Sequence, residues 1–242
     1  MKPIQTVKKK VVLRKIVIGL LLVILLIMGG FTLYTMDYYR ADPEVEKLVD
    51  REFKRIQTDG NFTSVYPEAG VERGIGLIFY PGGKVEAIAY LPLLKQLSDE
   101  GITCVLTKMP FNLAVFNTDA ADQVYPLHPK IEHWFLAGHS LGGAMASNYV
   151  ETNAEKLDGL ILMGAYPIND ANLPTIAIYG TEDIQLDLDK MRLAEQVVIE
   201  GGNHAYFGNY GEQVGDGLAS ISRQEQQAIT VETMIRFIEE IE

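Results

Sequence analysis

Acidic residues are missing ahead of Asp37, and no side chain from Ile16 to Met36 carries a charge. Cysteine and tryptophan each occur once, as Cys104 and Trp134. One cysteine excludes an intramolecular disulfide, so stability must come from a packed core. Cys104 sits in Ile102-Thr103-Cys104-Val105-Leu106 and reads as a small core residue of a buried strand. Repeats and low-complexity linkers are also lacking, which excludes solenoids and chains of tethered modules.

Hydrophobic residues make up 48% of the 242 positions, too many for a disordered chain. Beyond the N-terminal segment about 200 residues remain, enough for one domain with a sizeable core. Charge is divided unevenly. Lys2, Lys8, Lys9, Lys10, Arg14 and Lys15 precede Asp37, which leaves 15 basic against 32 acidic residues and a net −17 beyond it. Such a surface repels phosphate backbones, so nucleic acid is not an expected partner.

The uncharged stretch Ile16–Met36 would span about 32 Å as a helix, enough to cross a bilayer core. All six basic residues lie before it, and Asp37, Asp42 and Glu44 lie after it. By the positive-inside rule, residues 1–15 are a cytoplasmic basic tail and 16–36 a single-pass anchor in the cell membrane. The large domain is then extracytoplasmic. The competing reading, a cleaved signal peptide, needs a shorter apolar region and a small-residue site after it. Gly29-Gly30 is the one weak candidate for that site, and no nearby cysteine offers a point of lipid attachment.

Asp42-Pro43-Glu44 has the signature of a helix start. Val45, Leu48, Val49, Phe53 and Ile56 share one helical face up to Thr58-Asp59-Gly60, which predicts a helical stalk over 37–60 and a main domain over 61–242. In that domain Thr63–Tyr66 reads as an edge strand and Gly74–Tyr80 as a buried strand. Glu86–Glu100 reads as a helix that Pro92 kinks or delays. Strands are expected at Ile102–Thr107, Ile131–Ala137, Leu157–Met163, Thr175–Tyr179 and Gln196–Glu200, and a closing helix at Gln224–Ile241. Residues 111–126 are ambiguous, with a helix around Leu113–Phe116. Short apolar strands alternating with helices predict an α/β fold, a doubly wound and mainly parallel sheet covered on both faces.

The organising motif is Gly138-His139-Ser140-Leu141-Gly142, between the apolar run Trp134–Ala137 and the helix-compatible run Ala144–Val150. Strand, sharp turn and helix are what a nucleophile elbow requires. The turn strains the serine backbone, and the flanking glycines remove side chains that would collide. A serine hydroxyl is a weak nucleophile without a base and a carboxylate to orient it. Of His128, His133, His139 and His204, only His204 follows Ser140 with room for an acid between, the order of doubly wound hydrolases. It lies in Gly201-Gly202-Asn203-His204, after the last strand, at the end of the sheet where such sites form. The ring of His139, inside the motif, should point away from the serine hydroxyl. Asp183, in Tyr179-Gly180-Thr181-Glu182-Asp183, is the first candidate for the acid, with Glu182, Asp187 and Asp170 as alternatives. For the oxyanion hole, Leu141 N–H is one expected donor. The other comes from the loop Pro81-Gly82-Gly83-Lys84-Val85, with Gly83 as first choice and Lys84 as second.

Gly138–Gly143, Tyr179–Asp183 and Gly201–His204 look like the α/β-hydrolase superfamily. Pro81–Val85, Met109–Ala114 and Gly201–Gly211 resemble a bacterial subgroup close to the dienelactone-hydrolase-like hydrolases. The resemblance covers roughly residues 63–242. It implies Ser140 as nucleophile, Asp183 as acid and His204 as base; acyl-enzyme chemistry on these residues needs no metal or cofactor. It departs in two places: dienelactone hydrolases carry a cysteine nucleophile, and the usual oxyanion His-Gly is here Pro81-Gly82. Many hydrolases of this fold insert a helical cap between late strands, but only about ten residues separate Met163 from Pro174, too few for one. The expected activity is hydrolysis of a small carboxylic ester through an acyl-enzyme. Acyl transfer, peptide or thioester cleavage on the same residues, and a non-catalytic binding protein of the same fold, are the alternatives. Oligomeric state leaves no sequence signal.

Overall fold

The computed structural model describes residues 3–170 and 172–242; Met1 and Lys2, part of the expected basic tail, lie outside the described residues. The chain divides into two compact units, Met1–Asp37 and Tyr38–Glu242.

The first unit is one helix, α1, Pro3–Met36. Its segment Val12–Met36 is 25 residues long with a mean hydropathy of 2.9. A helix that is apolar on every side has the composition of a membrane span, although a signal sequence meets the same criteria. Gly29 and Gly30 are helical. Thr32 Oγ1 donates to the Met28 carbonyl at 2.8 Å, which satisfies that hydroxyl within the helix.

The second unit is built on an eight-stranded sheet of order β1-β2-β4-β3-β5-β6-β7-β8. These strands are β1 (Ile56–Asp59), β2 (Phe62–Val65), β3 (Ile75–Tyr80), β4 (Thr103–Thr107), β5 (His133–His139), β6 (Gly159–Met163), β7 (Thr175–Gly180) and β8 (Glu195–Ile199). β2 runs antiparallel to both β1 and β4, and every other pair is parallel. The expected α/β architecture with a mainly parallel sheet is therefore the one observed.

The strand period of two sorts side chains between two cores. From β3, Leu77 and Phe79 point to one core, with Leu91, Leu93, Leu94 and Leu97 of α3 (Leu91–Asp99) and Val231, Met234, Phe237 and Ile238 of α5 (Arg223–Glu239). Ile78 and Tyr80 point to the other, with Ala146, Tyr149 and Val150 of α4 (Leu141–Asn153). Each such apolar side chain, fully buried, contributes about 1.5–3 kcal/mol. Gly76 faces Trp134 across the β3–β5 pair, and a Cβ there would lie 2.4 Å from the indole ring.

Three local readings differ from the structure. The helix expected over the stalk is α2, Pro43–Arg51, which stops well before Gly60. Residues 56–59 turn back as β1 through the two-residue loop Gly60-Asn61, where Gly60 has φ 58°. A glycine with positive φ at the first loop position suits the primed hairpin turns. Ile56 thus buries in the sheet, while Phe53 stays 65% exposed. For the same reason β2 is not an edge strand. Of the two effects expected of Pro92, the delayed start is the one observed: Ala87–Tyr90 forms a 3-10 turn, and α3 starts at Leu91. Residues 110–127 form a succession of 3-10 turns rather than one helix. Asn117, with φ −154°, interrupts any α-helical run, while Ala114, Ala120, Ala121 and Val124 remain buried against the sheet.

Tyr38 to Asp42 join the second unit as an extended strap. Tyr39 forms a bridge with Val85, donates to the Lys84 carbonyl at 2.8 Å, and accepts from Glu86 N–H at 2.8 Å.

Candidate active site

Ser140 sits between β5 and α4 with φ 52° and ψ −121°, a conformation that costs a non-glycine residue of order 1–3 kcal/mol. The surroundings hold it there. Ser140 N–H donates to the Met163 carbonyl of β6 at 2.9 Å. A Cβ on Gly142 would lie 2.2 Å from the Tyr80 carbonyl oxygen, and one on Gly138 would lie 2.6 Å from the Gly142 backbone. Both obstacles are backbone, so neither can move aside cheaply. Gly143 is equally constrained, 2.6 Å from Ala165 Cβ by the same measure.

His204 follows β8 and is 3% exposed. Its Nδ1 lies 2.7 Å from Asp183 Oδ2, and the carboxylate side chain is fully buried. A carboxylate only accepts, so Nδ1 carries a hydrogen, and in the neutral ring Nε2 holds the lone pair. Nε2 is buried and has no hydrogen-bond partner among the described residues. His204 and Ser140 line one cavity of about 340 Å³, together with Leu141, Tyr166, Ile168 and Leu186. A larger depression of about 620 Å³, around Arg55 and Tyr66, holds neither residue.

Asp183 reaches His204 because the loops after β7 and β8 are joined. Thr181 N–H donates to the Ile199 carbonyl at 3.0 Å, and Glu182 N–H to the Gly202 carbonyl at 2.8 Å. The competing carboxylates go elsewhere. Glu182 accepts from the Thr181 hydroxyl, and Asp187 accepts from Asp189 N–H and pairs with Lys190. Asp170 is exposed.

At the oxyanion loop the two first-choice candidates adjoin. A Cβ on Gly83 would lie 2.8 Å from Leu141 Cδ2, and neither Gly83 N–H nor Leu141 N–H has a partner among the described residues. Leu141 opens α4, where the first N–H groups have no intrahelical acceptor. Lys84 must be corrected: its N–H donates to the Asn112 carbonyl at 2.8 Å and cannot serve an oxyanion. Both sides of this contact are left-handed: Lys84 has φ 58°, and Phe111 and Asn112 have φ 57° and 55°. Gly82 N–H is also engaged, at 3.1 Å from Tyr90 Oη.

Several site residues escaped sequence reasoning. Gly164, with φ 51°, ends β6, and a Cβ there would lie 2.9 Å from His204 Nδ1 and 3.2 Å from Asp183 Oδ2. A glycine directly after a core strand was the available signal. Asp216 accepts from His204 N–H at 3.1 Å and Ala205 N–H at 2.8 Å. Burial raises its carboxyl above the ordinary value, against the opposing pull of those N–H groups. Gln226 of α5 brackets Asn203, accepting from its N–H at 2.9 Å and donating to its carbonyl at 2.7 Å. Nothing in the sequence marks either residue. Among the described residues, no group of three His, Cys, Asp or Glu side chains is arranged to hold a metal ion.

A parallel sheet with a strained serine turn after its central strand, and a His–carboxylate pair on the two following loops, defines a doubly wound hydrolase fold. The model of the alpha/beta hydrolase family matches residues 76–228, more than half of the chain, and the protein belongs to that family. Its relatives and fold are those of hydrolases. No curated protein matches. Among solved structures, a membrane phospholipase A described as a bacterial virulence factor is similar with a TM-score of 0.57 and 12% identity, over 94% of this chain and 99% of that one. Monoglyceride lipase from Saccharomyces cerevisiae is similar at 0.56 and 12%, over 76% and 93%. A candidate dienelactone hydrolase from Klebsiella pneumoniae is similar at 0.53 and 17%, over 73% and 91%. At these identities the likeness speaks for the fold alone.

Proposed function

We propose that the protein is a serine hydrolase of small carboxylic esters, held at the cell membrane by Ile16–Met36 with its catalytic domain outside the cytoplasm. The observation that carries this reading is His204: Nδ1 is committed to Asp183, Nε2 is unpartnered, and the residue lines the same cavity as Ser140. In the proposed reaction, Ser140 Oγ attacks the ester carbonyl as His204 Nε2 takes its proton. Asp183 stabilises the resulting imidazolium, and Gly83 and Leu141 N–H groups receive the oxyanion. The tetrahedral intermediate collapses to an acyl-serine as His204 returns the proton to the leaving alcohol. Water then repeats the sequence and frees the acid.

The substrate class is supported by the cavity. About 340 Å³ is at the small end of ligand pockets and suits a short acyl group. The connection between β6 and β7 carries no helix or strand among its described residues, in keeping with the expectation that no helical cap is inserted there. Two of the similar structures bear the names of lipid-ester hydrolases, which is consistent with carboxylic ester chemistry. The basic residues before the apolar helix support the inward N-terminus.

The test is labelling of the full-length protein by a fluorophosphonate probe, with hydrolysis of a p-nitrophenyl ester series. Ser140→Ala should abolish labelling and lower kcat by about 10⁴-fold or more. Labelling that survives in Ser140→Ala would overturn the assignment of the nucleophile. Faster turnover of long-chain than short-chain esters would overturn the substrate class.

A further inference from the structure

His139, beside the serine in the elbow, is fully buried, as is Tyr90, and neither belongs to the proposed reaction. They stand in one chain of hydrogen bonds. Gly82 N–H lies 3.1 Å from Tyr90 Oη, Tyr90 Oη lies 2.8 Å from His139 Nδ1, and His139 Nε2 lies 3.0 Å from the His204 carbonyl oxygen. One assignment of protons satisfies every atom. The His204 carbonyl can only accept, so His139 Nε2 carries a hydrogen. In a neutral ring Nδ1 then accepts, and the Tyr90 hydroxyl donates to it. Tyr90 Oη keeps a lone pair for Gly82 N–H. Burial and the neighbouring His204 ring, 4.6 Å away between centroids, both hold the His139 pKa well below its ordinary value, in keeping with the neutral form.

The two ends of this chain lie at two parts of the proposed site. Gly82 precedes Gly83 in the oxyanion loop, and His204 is the proposed base. The packing leaves no slack between them. A Cβ on Gly82 would lie 2.7 Å from Tyr90 Oη and 2.8 Å from His139 Nδ1. Phe79 stacks against Tyr90 and Phe207 against His139, with ring centroids 4.8 Å and 5.5 Å apart.

We infer that Tyr90 and His139 are positioning residues: a buried bridge that sets the oxyanion loop and the His204 backbone at one fixed spacing. The inference rests on the proposed hydrolase function. The bridge touches no substrate. It holds the donor at Gly83 and the base at His204 in register with Ser140, which carries His139 as its chain neighbour. Misplacing either by a fraction of an ångström would be felt in the chemical step more than in ground-state binding.

The experiment uses full-length protein, p-nitrophenyl butyrate as substrate, and fluorophosphonate titration to count active sites. Tyr90→Phe keeps the ring and removes one oxygen. It should lower kcat per titrated site by about tenfold with KM within about twofold, because an unpaired Gly82 N–H and His139 Nδ1 leave the loop free to shift. His139→Ala should lower kcat by about 100-fold. His139→Gln can still donate to the His204 carbonyl and should recover about fivefold of that loss, a rescue that a space-filling role would not produce. Thermal unfolding of each variant separates positioning from packing. Loss of melting temperature with kcat per site unchanged in Tyr90→Phe would overturn the inference, as would a His139→Gln no better than His139→Ala. A wild-type protein that neither hydrolyses nor labels would remove the functional reading and this bridge with it.

Discussion

The serine and the histidine of this site are held by different physics. Ser140 is held by backbone: a strained turn, a bond to the Met163 carbonyl, and glycines whose replacement would drive a Cβ into main-chain atoms. His204 is held by side chains from elsewhere: Asp183 on its ring, Asp216 on its N–H, His139 on its carbonyl, and Gln226 on the residue before it. The elbow is therefore sensitive to added volume and the base loop to lost hydrogen bonds. The glycines that permit the elbow lie within two positions of the serine, although the main chain that the elbow packs against belongs to Tyr80 and Met163, whereas the polar network around His204 draws on four separate segments.

That contrast can be broken at its strongest point first. Asp183→Asn keeps the shape but removes the negative charge and can turn an NH2 donor toward His204, and the proposed triad predicts a fall in kcat of about 10⁴-fold with little change in melting temperature. A steady-state assay with a thermal scan checks both halves. Activity within tenfold of wild type would mean that the buried contact is structural only.

Gly142→Ala should show the opposite profile. Its Cβ would meet the Tyr80 and Pro81 carbonyl oxygens at 2.2 and 2.4 Å, so the cost falls on the fold, about 3 kcal/mol in urea unfolding. A stable, soluble Gly142→Ala would show that the elbow yields more easily than its contacts imply.

The smallest effect concerns Asp216, whose carboxyl is raised from 3.8 mainly by burial. The folded state then holds this proton more tightly than the unfolded chain does. Between 3.8 and the higher folded value, this group's contribution to stability falls as pH rises. Asp216→Asn should remove that slope, so that stability falls less between pH 4 and pH 6 than it does in the wild type. Denaturant unfolding at the two pH values measures it, and identical slopes in both proteins would refute it.

Residue patterns make one side of the comparison far more legible than the other. The elbow could be read directly, because Gly138, Ser140 and Gly142 act on one another across two positions. The alternation of apolar strands revealed the doubly wound sheet. The end of the stalk is ambiguous by pattern: Ile56 continues a helical stripe as readily as it opens a strand, and only pairing with Val65-Ser64-Thr63 selects the strand. Lys84 was a reasonable donor until the fold spent its N–H on Asn112, a residue whose left-handed backbone no local pattern announces.

The sequence by itself determined what short-range sterics and hydropathy can determine: an apolar helix beside a basic tail, an α/β sheet, and a serine raised on a glycine-flanked turn. Tertiary structure alone decided which of four carboxylates meets His204, which N–H groups near Gly83 stay unengaged, and that the ring of His139, expected to point away from Ser140, meets the His204 carbonyl. Those outcomes join residues tens of positions apart. Each depends on where two loops come to rest against each other, and a hydrogen bond a few tenths of an ångström too long is not formed.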